Sequence, residues 1–335
     1  MPRSPSELLT RAKAVQCDAL CLVRLAGVIC ACAGVAHAQP YPAKPIRMVI
    51  GATPGTGPEA IARHLAAGFS DALGQQVVVD PRPGATGLIG AEIVAKSAPD
   101  GHTLWFVTST QLLGTLLAQR HLLAKEFAPI GMLSITAFGI AVNSALPANT
   151  IGELIAYART RPGKLLYGSN GQGATTHLCM EFLNVMAGTR MTHVPYKGGT
   201  PALADLMSGQ IHVSCQPLPS LPQFVKAGRI RNLAVTTAKR TRIAPDVPAV
   251  AETLPGYELL GWHGLLAPLN TPGAIVEKLN ALASKIMLGA YMQERLLLLG
   301  TEPAPSTPAE FAARLNAETK KWSTLLKDAN IRPVE

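Results

Sequence analysis

The stretch from Ile46 to Asp80 constrains the fold more than any other part of the chain. Ile46-Arg-Met-Val-Ile50 is a short apolar run bounded by Pro45 and Gly51, the pattern of a buried strand. From Pro58 to Leu73 the apolar residues Ile61, Leu65, Phe69 and Leu73 recur at helical spacing. Pro58 suits the first turn of a helix and Gly74 the position just past its end. Gln75 to Asp80 then makes a second strand. Between the first strand and the helix lies Thr53-Pro54-Gly55-Thr56-Gly57, whose glycines expose backbone N–H groups beside a helix N-terminus. Unpaired N–H groups and the helix dipole point at one spot, which makes an anion site without a charged side chain.

Different readings of that loop compete. Gly55, Gly57 and Ala60 fit G-x-G-x-x-A, and Asp80 stands where a dinucleotide fold places its ribose-binding acid. The loop also suits a carboxylate site in a solute-binding protein. The plainest reading is a βα turn that uses glycine for its geometry.

Residues 1–38 read as a secretory signal. Arg3, Arg11, Lys13 and Arg24 form a basic leader, Leu25 to Val35 is apolar, and Ala36-His37-Ala38 is an A-x-A cleavage site. Cleavage is expected after Ala38, with the protein delivered to the periplasm. The apolar run falls short of the ~20 residues that a membrane-spanning helix needs. Export weighs against the dinucleotide reading, because free nicotinamide cofactor is scarce outside the cytoplasm. Cys17, Cys21, Cys30 and Cys32 leave with the signal, so Cys179 and Cys215 remain, either to pair or to stay buried as thiols.

The 335 residues suffice for two ordinary α/β domains, and their net charge is +9. The basic excess is spread without a block of like charges, so no nucleic-acid partner is expected. It suits an anionic solute.

Downstream, strand and helix keep alternating, the signature of a parallel, doubly wound sheet. A helix follows from about Leu88 to Ser97, then a strand at Thr103–Val107 that ends in Thr108-Ser109-Thr110-Gln111. Hydroxyls at a strand's carboxyl end face the crevice where open α/β sheets bind ligands. Phe127 to Asn143 holds two apolar runs with no helix between them, the mark of a crossing between domains. Thr150-Ile-Gly-Glu153 is a capping box that opens a helix. A strand at Leu165–Gly168 then feeds a second glycine-rich loop, Ser169-Asn170-Gly171-Gln172-Gly173-Ala174-Thr175-Thr176, and a helix from His177 to Met186. The second half thus repeats the first: strand, glycine loop, helix N-terminus. Two such loops would face each other across a cleft. Tyr257 to Leu266 reads as the return crossing, and two helices close the chain, the second opened by the capping box Thr307-Pro-Ala-Glu310.

Chemistry-bearing alternatives are thin. His177 and Glu181 stand four apart on a helix with Cys179 nearby, but no third ligand converges in sequence, and no metal is expected. Ser169 with His177 lacks both the G-x-S-x-G elbow and an acid to orient the histidine. No catalytic residue and no cofactor are assigned. Lys197 reads equally as a ligand cation or as a surface lysine on a turn, and Trp262 as a packing residue at the hinge rather than a stacking platform.

Taken together, Tyr41-Pro-x-Lys-Pro-Ile, Pro54-Gly-x-Gly, Arg82-Pro-Gly-Ala, Gly90-Ala, Ala98-Pro-Asp-Gly and Phe127-Ala-Pro resemble the Bug family, the extracytoplasmic solute receptors of tripartite tricarboxylate transporters. Pro162-Gly-Lys-Leu, His193-Val-Pro-Tyr-Lys-Gly, Pro201-Ala-Leu-x-Asp-Leu, Ala249-Val-Ala-Glu and Trp262-x-Gly-Leu-Leu-Ala-Pro continue the resemblance along the chain after the leader. It implies an α/β, two-domain periplasmic-binding-protein fold of the Venus-flytrap type, with doubly wound sheets joined by two crossing strands. The expected division is 39–138 with 264–335 in one domain and 139–263 in the other. The implied function is capture of a small organic anion, a carboxylate or an amino acid, held largely by backbone groups and waters of the two loops. A monomer that hands its solute to membrane permease subunits is expected. A sensor for a signalling partner, or an exported enzyme that uses the glycine loops, is the alternative.

The expected ligand-binding set is Thr53, Pro54, Gly55, Thr56, Gly57, Glu59, Ser109, Thr110, Ser169, Asn170, Gly171, Gln172, Thr175, His177, Tyr196 and Gln216. The chain departs from the family's usual Pro-Gly-Gly-Gly-Thr-Asp at Thr56, Pro58 and Glu59. Thr56 adds a β-carbon, Pro58 deletes a donor, and Glu59 reaches one carbon further, towards a ligand ammonium if there is one. Gln216-Pro217 likewise stands where the family usually has Asp-Asn.

Overall fold

The computed structural model describes residues 41–84, 87–118 and 123–328. The expected signal and its cleavage site lie outside the described residues. In chain order the first elements are β1 (Ile46–Ile50), α1 (Gly57–Leu73), β2 (Val77–Pro81), α2 (Leu88–Ala95), β3 (Thr103–Thr108), α3 (Ser109–Leu117), a short α4 (Leu123–Glu126) and β4 (Phe127–Thr136). There follow β5 (Phe138–Asn143), α5 (Ile151–Arg159), β6 (Leu166–Ser169), α6 (Thr175–Ala187), β7 (Thr192–Pro195), α7 (Gly199–Ser208), β8 (Val213–Pro217), α8 (Pro222–Lys226) and β9 (Ile230–Val235). The chain then runs through β10 (Gly261–Pro268), α9 (Gly273–Met287), α10 (Ala290–Leu298), β11 (Thr301–Pro303) and α11 (Pro308–Asp328).

The strands form a six-stranded sheet, β11-β4-β10-β3-β1-β2, and a five-stranded one, β7-β6-β8-β5-β9. In the first, β1 pairs in parallel with both β2 and β3; in the second, β6 pairs in parallel with both β7 and β8. The chain therefore turns to opposite sides after β1 and after β6. The carboxyl end of each is a topological switch point, the place where open sheets leave a crevice. Both glycine loops follow these strands. Helices cover the sheet faces, so β1 is apolar on both sides: Met48, Val49 and Ile50 are fully buried. The spacing read in α1 has the same cause, with Ile61, Leu65 and Phe69 turned inward and Gly74 ending the helix at φ 65°.

The chain leaves the first sheet at Thr136 and enters the second at Phe138, which pairs with Pro217. It returns through residues 257–260 into β10, a wholly buried strand inserted antiparallel between β3 and β4. Phe138 thus pairs with the second sheet, and residues 261–263 pair with the first, slightly displaced from the division expected on sequence. One core runs across both sheets, from Trp105 and Phe127 through Phe138 to Tyr167 and Leu178, with Phe311, Leu315 and Trp322 of α11 added from the end of the chain.

Two local expectations were incomplete. Residues 109–117 form a helix rather than a simple hydroxyl-rich strand end. Gln111 turns back to accept the Thr108 N–H at 2.6 Å, and Leu112, Leu113, Leu116 and Leu117 are buried. At the carboxyl end Gly289 separates α9 from a further helix, and β11 then pairs with β4. Cys179 and Cys215 form a disulfide that ties α6 to β8, their Cα atoms 6.4 Å apart.

Candidate ligand-binding cleft

The N-termini of α1, α3 and α6 converge on one cavity of about 540 Å³ between the two sheets. Their N-cap residues, Thr56, Thr108 and Ala174, all have the extended backbone that a cap requires. Thr56 and Ala174 supply no side-chain cap, whereas α3 is closed by a capping box in which Gln111 accepts the Thr108 N–H at 2.6 Å. Thr56 Oγ1 donates instead to the Thr53 carbonyl at 2.7 Å, and Ala174 has no polar side chain to offer. First-turn N–H groups have no partner within their own helix, so these ends present donors and the positive end of the dipole to the cavity. The second loop is pressed close: Gly173 has φ 77°, and a Cβ there would stand 2.5 Å from Leu117 of α3.

The lining carries hydroxyls rather than charge. Thr53, Thr56, Thr108, Ser109, Thr110, Thr136, Thr175, Thr176 and Thr301 contribute them, with Asn170 beside them and Ile61, Phe138, Trp262 and Leu299 as apolar walls. Among the described residues no Asp, Glu, Lys or Arg lines it. His263 is the titratable group in the wall. Burial pushes it down to about 4, and its Nδ1 lies 2.9 Å from the Ser134 hydroxyl, so the ring is neutral. Thr175 Oγ1 reaches across the cleft to Thr110 Oγ1 at 3.0 Å and to Ser109 Oγ at 3.4 Å. Trp262 is buried, edge-on to Phe311, and its indole N–H donates to Glu318 of α11 at 2.7 Å.

Of the residues singled out in the sequence, the cavity brings together Thr53, Thr56, Gly57, Ser109, Thr110, Asn170 and Thr175. Gln216 lies in the wall of a second cavity of about 480 Å³ that shares Asn170 and Pro217 with the first. Pro54, Gly55, Gly171 and Gln172 belong to the loops but not to the lining. Glu59 is buried and taken by Arg63 one helical turn on. Tyr196 donates its hydroxyl to Asp205 at 2.7 Å.

His177 and Ser169 stand behind the second loop. His177 Nδ1 accepts the Gly173 N–H at 3.2 Å, and its ring stacks on His193 with centroids 4.0 Å apart; Tyr167 lies against both rings, its centroid 5.0 Å from that of His193 and 6.3 Å from that of His177. Burial lowers His177 to about 3 and His193 to about 4. Ser169 Oγ lies 2.7 Å from His193 Nε2, yet Ser169 is fully buried, so this pair cannot meet a substrate as a nucleophile and base would have to. The expected set lacks Thr136, Trp262, His263, Leu299 and Thr301, all in the cavity wall; Thr108, one of the hydroxyls expected to face the crevice, is there too, and its Thr-x-x-Gln spacing to Gln111 marks the start of α3.

Two doubly wound sheets, two crossings and a cleft at both switch points define a solute-binding protein of the periplasmic type. The chain matches the tripartite tricarboxylate transporter family receptor over residues 61–331 and belongs to that family, whose receptors are periplasmic. It is 30% identical to BugT of Bordetella pertussis over 319 residues, which cover 93% of this chain and 98% of that one. Among solved structures, Rpa4515 of R. palustris with adipate is 34% identical, with a TM-score of 0.74 over 88% of this chain and 100% of that one. MatC of Rhodopseudomonas palustris with bound malate is 27% identical, with a TM-score of 0.71 over 85% of this chain and 100% of that one. The chain is thus a member of the Bug group of receptors, as its motifs implied. No described helix is long and apolar enough to cross a membrane.

Proposed function

We propose that the 540 Å³ cavity takes the carboxylate of a small organic anion and that the protein delivers this solute to the permease subunits of its transporter. The observation that carries this reading is the meeting of α1, α3 and α6 at one uncharged, hydroxyl-lined cavity, with the ends of α1 and α6 uncapped by any side chain. An anion placed there completes the three helix ends, and the low dielectric of a closed cleft strengthens each bond. The adipate and malate held by the two related structures support it. A plain carboxylate suits the lining better than an amino acid, since an ammonium group finds no carboxylate there once Arg63 has taken Glu59.

The site residues act as follows in this reading. Thr53, Thr56 and Gly57 from one side and Asn170 and Thr175 from the other close on the anion, while Ser109 and Thr110 bridge to Thr175 and favour the closed form. Ligand shifts an open–closed equilibrium by binding the closed form better. The protein performs no catalysis, works as a monomer, and divides into lobes near residues 137 and 260. Its signal is removed after Ala38, which N-terminal sequencing of protein recovered from the periplasm checks directly.

Calorimetry of that protein against mono- and dicarboxylates tests the central claim. Saturable binding with no product is expected. Thr175→Val is expected to weaken it roughly 10- to 100-fold, the value of one hydrogen bond to a charged group. Unchanged affinity in Thr175→Val would remove the α6 terminus from the site.

A further inference from the structure

We propose that the solute is a monocarboxylate with an uncharged, largely apolar tail, its carboxylate in the first cavity and its tail in the second. This rests on the reading of the first cavity as a carboxylate site. The two cavities adjoin at Asn170 and Pro217, which line both. On the far side of that junction the wall turns apolar: Leu203 is buried, and Met207 and Phe224 pack with it against the second core. Among the described residues no charged side chain lines this chamber either.

Besides Asn170 and Gln216, its polar groups are the N-terminus of α7 at Gly199 and Thr200, the Gln223 amide, and the Ser220 hydroxyl, which donates to the Pro217 carbonyl at 2.7 Å; the helix end is the strongest candidate for a second carboxylate. That position is already faced by two amide oxygens. Ser214 Oγ donates to the Gly168 carbonyl at 2.9 Å, so towards Gln216 it can only accept, and Gln216 Nε2 donates to it at 2.8 Å. The Gln216 oxygen is thereby fixed on the opposite side, 3.1 Å from where a Cβ of Gly199 would stand. Asn170 Oδ1 lies 3.3 Å from the same point and, among the described residues, has no hydrogen-bond partner. Pro217, at the junction, has no N–H to give. A carboxylate at that helix end would meet the negative ends of two carbonyl dipoles and no cation, with the Thr200 hydroxyl and the Gln223 amide in the wall as poor replacements for its hydration. A hydrocarbon chain or ring would meet Leu203, Met207 and Phe224. A hydroxyl or amide N–H near the middle of the solute would satisfy Asn170.

Calorimetry of the periplasmic protein with straight-chain monocarboxylates from acetate to octanoate, with 3-phenylpropionate, and with succinate and adipate tests the assignment. Affinity is expected to climb by roughly threefold per added methylene until the chamber is filled. Hexanoate should then bind at least tenfold more tightly than adipate, and Ala204→Trp, which fills the chamber from the exposed face of α7, should flatten the series. A flat series in the wild type, adipate binding as tightly as hexanoate, or a series unaltered by Ala204→Trp overturns the tail assignment and leaves the carboxylate site standing. Failure of every carboxylate to bind overturns that site and the tail assignment together.

Discussion

Two helices that open into the cleft, α1 and α6, begin differently from two that open into water, α5 and α11. At the surface, α5 starts with Thr150 accepting the Glu153 N–H at 3.1 Å, while the Glu153 carboxylate accepts from the Asn149 N–H at 2.8 Å. Helix α11 starts with Thr307 accepting the Glu310 N–H at 3.2 Å and Glu310 accepting the Thr307 N–H at 2.9 Å. Each carries its own anion in its first turn. In the cleft, α3 and α6 have no acid in their first turn, and the one in α1, Glu59, is held by Arg63. A side-chain cap adds about 1 kcal/mol to a helix. Helices α1 and α6 forgo that, and an anion arriving from outside can supply it. Binding and helix capping are then one interaction, made by a solute in one place and by a glutamate in the other.

Turning a cleft helix into a surface-type helix should break the comparison most sharply. Ala174→Asp places a cap and a permanent negative charge at the start of α6, where the backbone already has the extended shape a cap needs. The helix should gain about 1 kcal/mol in a urea melt. Carboxylate affinity should fall more than a hundredfold by calorimetry, and full retention of affinity would show that no anion sits at that end.

A smaller effect lies behind the second loop, which leans on imidazole rings instead of caps. His177 and His193 are held near 3 and 4 by burial, against about 6.5 in an unfolded chain. The folded state therefore refuses protons that the unfolded state takes up, and this contribution to stability is lost as pH falls from about 6.5 towards 4. Glu181, raised by burial and holding the Tyr167 hydroxyl, runs the opposite way, so the variant rather than the whole curve is the measure. His193→Gln should be less stable than wild type at pH 7, and the gap should narrow by up to roughly 2 kcal/mol at pH 5. A gap independent of pH would mean that His193 takes up its proton equally in the folded and unfolded chains.

The smallest effect is the mirror of the first. Thr150→Ala removes a surface cap and should cost about 1 kcal/mol with carboxylate affinity unchanged. A change in affinity would mean that the two kinds of helix start are coupled.

The parts of this architecture that are local in the chain were legible in the sequence. Strand, glycine loop and helix follow one another without a break at Ile46–Leu73 and again at Leu166–Ala187, and period and breakers suffice to place them. Helix α3 escaped because Thr108-Ser109-Thr110 reads equally well as the end of a strand, and only the fold of Gln111 back onto Thr108 decides it. The far wall of the cleft was illegible for another reason. Trp262 and His263 reach it because β10 aligns His263 with Thr108, and Thr301 because β11 aligns it with Thr136. Such registers are set by sheet pairing between remote segments, which leaves no local trace. Glu59 pairs with Arg63, four residues on, a partner that its helical spacing alone provides.

The position of β10 also sets an order of assembly. The first sheet has a gap between β3 and β4 until residues 261–268 are delivered, and Trp262 gains its partner on Glu318 only when α11 arrives. Before that, β1, β2 and β3 pair with one another, while β4 has no neighbour from the earlier chain. The wall of the cleft is therefore finished by the last third of the chain, because Trp262 and His263 arrive on β10 and Thr301 on β11.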